Sequence, residues 1–140
     1  MKYATRMLAI VVTMMPLLAS AQLNNGGMVT KVPFQFRAGD IVVPAGQCLV
    51  QRAGMDPRVL LISNWHAKVA LFAIARTVSS TNGSSDNALI FHKYGEHYFL
   101  SGVRVAGSAN AYQLPETRAE AELRAQNGPA SQEILLARLR

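Results

Sequence analysis

The stretch that decides the fold is ALIFHKYGEHYFLSGVRV, residues 88–105. Two runs rich in aromatic and branched side chains flank the dipeptide Gly95-Glu96. A glycine at the first position of a two-residue loop is typical of a type II′ hairpin turn, whose twist matches that of the paired strands. The resulting register pairs Tyr94 with His97, Lys93 with Tyr98, His92 with Phe99 and Phe91 with Leu100. Because both faces carry apolar groups, the segment predicts a central hairpin of an antiparallel β fold.

Shorter extended segments precede this hairpin. Residues 29–36 alternate with a period of two, so that Val32, Phe34 and Phe36 share one face of a strand. Pro44-Ala45-Gly46 has the composition of a tight turn. Residues 47–52, 58–63 and 68–78 are further apolar runs that we interpret as strands. The sequence therefore predicts an all-β domain: a single antiparallel β-sandwich of about seven strands, with a small β-barrel as the alternative.

The C-terminal region has a different character. Thr117 and Glu120 have the T-x-x-E spacing of a capping box, and Ala, Glu and Arg dominate residues 119–126, which predicts a helix that ends at Gly128. Ser131 is in position to cap a second short helix over the last residues. The predicted helical tail, residues 115–140, leaves three roles open: a membrane-surface segment, a partner-docking helix, or a terminus that packs back or frays.

The N-terminal segment predicts export. Lys2 and Arg6 precede an apolar run at residues 7–18, and Ala19-Ser20-Ala21 supplies the small residues of a cleavage site. We expect residues 1–21 to be a cleaved signal peptide, residues 22–27 a flexible lead-in and residues 28–114 the β domain. The mature chain is then expected in the periplasm or outside the cell, with no transmembrane segment.

Charge and cysteine content narrow the class of protein. The chain has 14 basic and 8 acidic residues, and loss of Lys2 and Arg6 with the leader lowers the net charge from +6 to +4. This modest charge, export and the lack of a Lys/Arg run argue against a nucleic-acid partner. Cys48 is the only cysteine, so no intrachain disulfide can form, and its apolar strand context predicts a buried thiol.

Three segments together carry a resemblance to a protein group. They are VPFQFRAG with VPAGQCLV (residues 32–39 and 43–50), LIFHKYGEHYFLSGV (residues 89–103) and LPETRAEAELR (residues 114–124). This pattern resembles a group of short secreted bacterial β-proteins without assigned activity. The resemblance implies a β-sandwich or barrel with a C-terminal helix. It brings no known catalytic residues, and Cys48 stands where such relatives prefer tyrosine.

The hairpin holds the one cluster of metal-ligand residue types. His92 and His97 lie diagonally on one face, at a separation of roughly 7–8 Å between Cα atoms, and Glu96 in the turn could bend towards them. Zinc needs a third or fourth ligand, and apart from Glu96 the remaining histidine, His66, is distant in sequence. The competing interpretation is a packed, hydrogen-bonded His92 and a solvent-facing His97. We therefore expect no bound metal and no cofactor.

Aromatic side chains near the turn suggest a binding surface. Tyr94 and Tyr98 beside Lys93 could form a stacking platform for a sugar or a partner protein. No nucleophile elbow, phosphate-binding loop or paired catalytic carboxylates occur in the sequence.

The function we expect is therefore an exported, non-catalytic binding or structural module whose partner is an envelope protein or glycan. Two alternatives stay open. One is a small metal-dependent or hydrolytic enzyme that uses His92 and His97. The other is a carrier of a small apolar ligand, with a cavity bounded by residues such as Leu61, Phe72 and Leu100.

Overall fold

The computed structural model describes residues 27–79 and 85–139. The predicted signal peptide and nearly all of the predicted lead-in lie outside the described residues. No helix within the described ranges has the length and apolar character needed to cross a membrane.

The described chain forms eleven strands and one helix. In chain order the elements are β1 (Met28–Val32), β2 (Phe36–Ala38), β3 (Ile41–Val43), β4 (Gly46–Arg52), β5 (Val59–Asn64), β6 (Val69–Ile74), β7 (Arg76–Ser79), β8 (Asn87–Tyr94), β9 (His97–Arg104), β10 (Asn110–Gln113), α1 (Arg118–Asn127) and β11 (Ser131–Leu139). The run at residues 68–78, interpreted as extended despite its alanines, is β6 followed by β7. The predicted helix after Thr117 is α1.

All strands belong to one sheet with the order β3-β2-β9-β8-β11-β1-β4-β5-β6. Only Ala75 separates β6 from β7, and β7 pairs with β10, which in turn pairs with β9. The hydrogen-bonded path thus returns towards its start, and the sheet nearly closes into a barrel. The predicted all-β class with a short C-terminal helix is confirmed, and the arrangement is the second of the two that the sequence predicts.

The β8–β9 hairpin has the predicted register. Tyr94 lies opposite His97, and the three pairs that follow are those expected from the two-residue turn. Gly95 has a φ of 61°, and Glu96 is not among the residues with positive φ, as a type II′ turn requires. The sequence does not reveal the bulge at Ser101, an extra residue in β9 whose hydroxyl donates to the Ile90 carbonyl at 3.1 Å.

The bulge marks the place where β9 changes neighbours. Before it, Phe99 pairs with Arg37 of β2 in a parallel bridge, and after it, Gly102 pairs with Gln113 of β10. Bulges bend a strand and increase its twist, which helps a sheet to curve into a barrel.

The prediction of a second C-terminal helix is wrong. Residues 131–139 form β11, which lies between β8 and β1, so the helical part of the tail is α1 alone. Leu135 and Ala137 pack against the core, and Thr30 Oγ1 donates to the Leu136 carbonyl at 2.6 Å. Leu, Ala and Arg favour a helix locally, but the two open edges of the neighbouring strands satisfy the backbone of an extended chain along its length.

The core consists of inward-facing side chains from both halves of the sheet. Its fully buried members include Phe36, Phe91, Leu60, Ile62, Leu89, Val32, Val43, Val50, Val103 and Cys48. The predicted burial of Cys48 is confirmed, and burial raises the pKa of its thiol to about 11. Since the thiolate is the reactive form, this side chain acts as a small apolar group.

Candidate functional site

The outer face of the hairpin is covered by α1, and a buried carboxylate joins the two elements. Glu120 Oε1 lies 2.8 Å from His92 Nδ1 and accepts a hydrogen bond of 3.1 Å from the Tyr94 hydroxyl. Thr117 caps the helix by accepting from the Glu120 backbone N–H at 3.2 Å. The cap therefore sets the helix start that aims Glu120 at the hairpin. The sequence assigns Glu120 only to the capping box, and its burial depends on the docking of α1.

This cluster raises the affinity of Tyr94 for its proton. Burial, and then the negative charge of Glu120 and its hydrogen bond, raise the pKa of Tyr94 to about 12. The side chain of His92 is 32% exposed, whereas that of Glu120 is buried. A carboxylate held between an imidazole and a phenol satisfies three polar groups at once, so the arrangement anchors α1 on the sheet.

The metal-ligand cluster suggested by the hairpin is not assembled. His92 turns towards Glu120, while Glu96 and His97 are exposed at the turn. In the parts of the chain that the structure describes, no group of three or more His, Cys, Asp or Glu side chains could hold a metal ion.

The three residues suggested for a stacking platform are divided between the two faces of the hairpin. Tyr98 and Lys93 lie on the inward-facing side, where the Tyr98 ring stacks on Phe34 with centroids 3.7 Å apart. Lys93 Nζ lies 5.4 Å from the Tyr98 ring centroid. Tyr94 is buried on the other side beneath α1. No shared platform results from these three side chains.

A cavity of about 310 Å³ opens at the end of the barrel farthest from the hairpin turn. Its lining comes mainly from the inward-facing positions at the ends of β1, β4, β5, β9, β10 and β11. These are Met28, Val50, Arg52, Leu60, Val103, Tyr112 and Leu139, with Val105, Gln51 and Ser108 completing the wall. The cavity is thus a continuation of the barrel interior.

The floor of this cavity is apolar and its rim is polar. Met28, Val50, Leu60 and Val103 are buried core residues that form the floor. Leu139 also faces inward, as the partner of Met28, and it is 62% exposed where it lines the cavity. An apolar wall with a few polar groups at the entrance is the usual composition of a small-molecule site.

The cavity differs from the one that the sequence suggests for a carrier. Leu61 and Phe72 lie opposite each other on the outer face of β5 and β6, where Phe72 is 71% exposed. Leu100 is part of the packed core and does not line the opening. The sequence feature that accompanies the observed cavity is the small size of the inward residues Val50 and Val103. Which valines face inward can be recognised only once the register of the barrel is known.

Comparisons with known proteins do not extend this description. No family model matches the chain, and neither a curated protein nor a solved structure is detectably similar to it. The resemblance to short secreted β-proteins stays a prediction.

Proposed function

We propose that this protein is an exported, non-catalytic binding protein that carries a small apolar molecule in the open end of its barrel. The observation that carries the proposal is the cavity of about 310 Å³ that continues the buried interior to the surface. The leader-like residues 1–21 support the exported part of the proposal.

The size and lining of the cavity support a small ligand. A volume of about 310 Å³ lies at the lower end of the range of small-molecule sites in proteins, about 300–1,000 Å³. Four buried apolar side chains at the floor offer dispersion contacts to a ligand. Transfer of the ligand's apolar surface from water into the cavity is also favourable. Ser108 and Tyr112 place hydroxyl groups on the wall, where they can bind a polar end group.

The side chains around the cavity support carriage and not catalysis. The polar members of the lining are Gln51, Arg52, Ser108 and Tyr112. A hydroxyl nucleophile needs a neighbouring base, and general acid–base catalysis is carried out most often by an imidazole or a carboxylate. The lining contains neither of these groups, whereas His92 and Glu120 lie on the outside of the hairpin and hold α1.

A fluorescence titration with N-phenyl-1-naphthylamine, a neutral apolar probe, tests the proposal. We expect saturable emission enhancement with one site per chain. Val105→Phe should fill the space beside Val103 and weaken probe binding at least about tenfold, since a tenfold change corresponds to only 1.4 kcal/mol.

Val42→Phe is the matched control. This substitution adds the same side-chain volume, but on β3, where Val42 does not line the cavity. It should bind the probe as the parent protein does. Absence of saturable binding to the parent protein, or equal weakening by the two substitutions, would overturn the proposed function.

A further inference from the structure

The path of paired strands ends in β6 and β3, and residues of both strands line one groove. On one side β6 is hydrogen-bonded to β5, and on its other side no strand of the described chain pairs with it. β3 likewise pairs with β2 alone. These two strands are the ends of the sheet path, so the groove lies where the barrel remains incomplete.

The groove beside β6 is large enough to receive a peptide. Its volume is about 500 Å³, and its walls are residues 38–41, residues 71–74 and residues 114–117. Buried Ala38, Leu71 and Leu114 form its base. On the wall formed by β6, Phe72 and Ile74 are 71% and 70% exposed. Apolar side chains therefore border a row of backbone groups that has no strand partner.

Nothing in β6 protects its edge from pairing. The strand reads VALFAI and contains no charge, no proline and no glycine. Natural edge strands usually carry a lysine, a proline or a bulge that prevents another strand from adding. An unprotected edge of high β propensity is the feature that strand-adding recognition sites use.

We propose that this groove binds one extended peptide segment of a partner protein, which adds to β6 as a further strand. Backbone N–H and C=O groups of the segment would pair with those of β6, and its alternate side chains would pack beside Phe72 and Ile74. The β2–β3 turn at residues 38–41 forms another wall of the groove, so a bound segment would lie between this turn and β6.

The charge of the groove indicates what the segment carries. The described lining contains two carboxylates, Asp40 and Glu116, and no basic side chain, although the whole chain has a net charge of +6. Arg124 pairs with Glu116 Oε1 at 3.1 Å, which leaves the exposed Asp40 as the main attraction for a cation. We therefore assign to the partner segment an apolar alternation with at least one lysine or arginine.

Fluorescence anisotropy with three capped, labelled peptides tests this assignment. The first is Lys-Val-Thr-Val-Thr-Val-Lys, the second has glutamate in place of both lysines, and the third has proline in place of the central valine. We expect saturable binding of the lysine peptide and at least about tenfold weaker binding of the other two, because one repels Asp40 and the other cannot form a regular strand. Hydrogen exchange should slow at the amides of residues 71–74 when the lysine peptide binds.

Phe72→Lys supplies the edge charge that natural strands use for protection, and it should abolish peptide binding. Leu136→Lys is the matched control, since Leu136 is also an exposed outward-facing residue, but on β11. No binding of the lysine peptide, equal binding of all three peptides, or equal effects of the two substitutions would overturn the proposal. A concentration-dependent dimer that Phe72→Lys abolishes would also overturn it, because the groove would then bind a second copy.

Discussion

The two ends of the barrel are built from the same strands but are filled differently. Towards the hairpin turn, Phe91 contacts both Phe34 and Phe36, with ring centroids 5.0 Å apart in each pair. At the other end, the corresponding inward positions of β4 and β9 carry Val50 and Val103, and a cavity remains. The comparison teaches that side-chain volume at the inward positions decides whether one end of a small barrel is core or pocket.

The filled end is also held from outside. There α1 packs over β8 through Glu120, which lies beneath the helix against His92 and Tyr94. Within residues 27–79 and 85–139 no helix packs over the open end, and Leu139, the last residue of β11, lies at its rim. We therefore expect stability to depend on the filled end and binding to depend on the open end.

Phe91→Ala is the strongest test of the inference that stability depends on the filled end of the barrel and binding on the open end. Phe91 is fully buried between two aromatic rings, so its truncation leaves a cavity and should lower the free energy of unfolding by about 3–5 kcal/mol. Urea unfolding followed by circular dichroism measures the change. A loss below about 1 kcal/mol would show that the aromatic end does not hold the barrel together.

The second test removes the carboxylate beneath α1. Glu120→Ala leaves the buried Tyr94 hydroxyl without its acceptor and should cost about 1–3 kcal/mol of unfolding free energy. Glu122→Ala, on the same helix, removes an exposed pair with Arg118 and should change stability by less than about 0.5 kcal/mol. Equal losses in the two variants would contradict the role of Glu120 as the anchor of the helix.

A third test uses the raised pKa of Tyr94. Because the folded protein raises this pKa from its usual 10 to about 12, the folded state retains the phenol proton more strongly than the unfolded chain does. The resulting stabilisation is complete below pH 10 and is lost as the pH rises through 12. Absorbance titration at the tyrosinate band should show one tyrosine that ionises near pH 12 and is missing in Tyr94→Phe. An unchanged titration curve in that variant would contradict the assignment.

The smallest effect on stability is expected at the open end. Leu139→Ala removes a side chain that is mostly exposed and should lower the unfolding free energy by less than about 1 kcal/mol. The same variant should weaken binding of N-phenyl-1-naphthylamine several-fold, since Leu139 lines the cavity. If Leu139→Ala were as destabilising as Phe91→Ala, the two ends would not differ in the way that we infer.

The features that the sequence predicts well depend on neighbours along the chain. The hairpin register follows from Gly95 and the strict two-residue loop, and the start of α1 follows from Thr117. Both are short-range hydrogen-bond patterns that the local backbone satisfies by itself. The candidate site was predicted less well. His92 was expected to be a packed, hydrogen-bonded residue if no metal bound there, but its partner Glu120 lies on an element that reaches it only after folding.

The predictions that were wrong depend instead on residues that are distant in sequence. Residues 131–139 have side chains that suit a helix, and they become β11 because β8 and β1 each offer an unsatisfied edge. Leu61 and Phe72 lie in apolar runs whose two faces look alike in sequence. The folded sheet turns the alternate residues Leu60, Ile62 and Leu71 inward, so Leu61 and Phe72 lie outside. In both cases the deciding partner lies far away in sequence.

The sequence by itself determined an all-β chain, the capped helix after Thr117, a central hairpin in a defined register and a buried thiol in place of any disulfide. Turn chemistry, alternation of apolar residues and helix capping act over a few residues, so the order of amino acids specifies them directly. The tertiary structure alone decided the near-closure of the barrel, the strand at the C-terminus, the burial of Glu120, the cavity beside Val103 and the unpaired edge of β6. Each of these depends on which strands meet, and long-range backbone pairing is settled by the whole sheet.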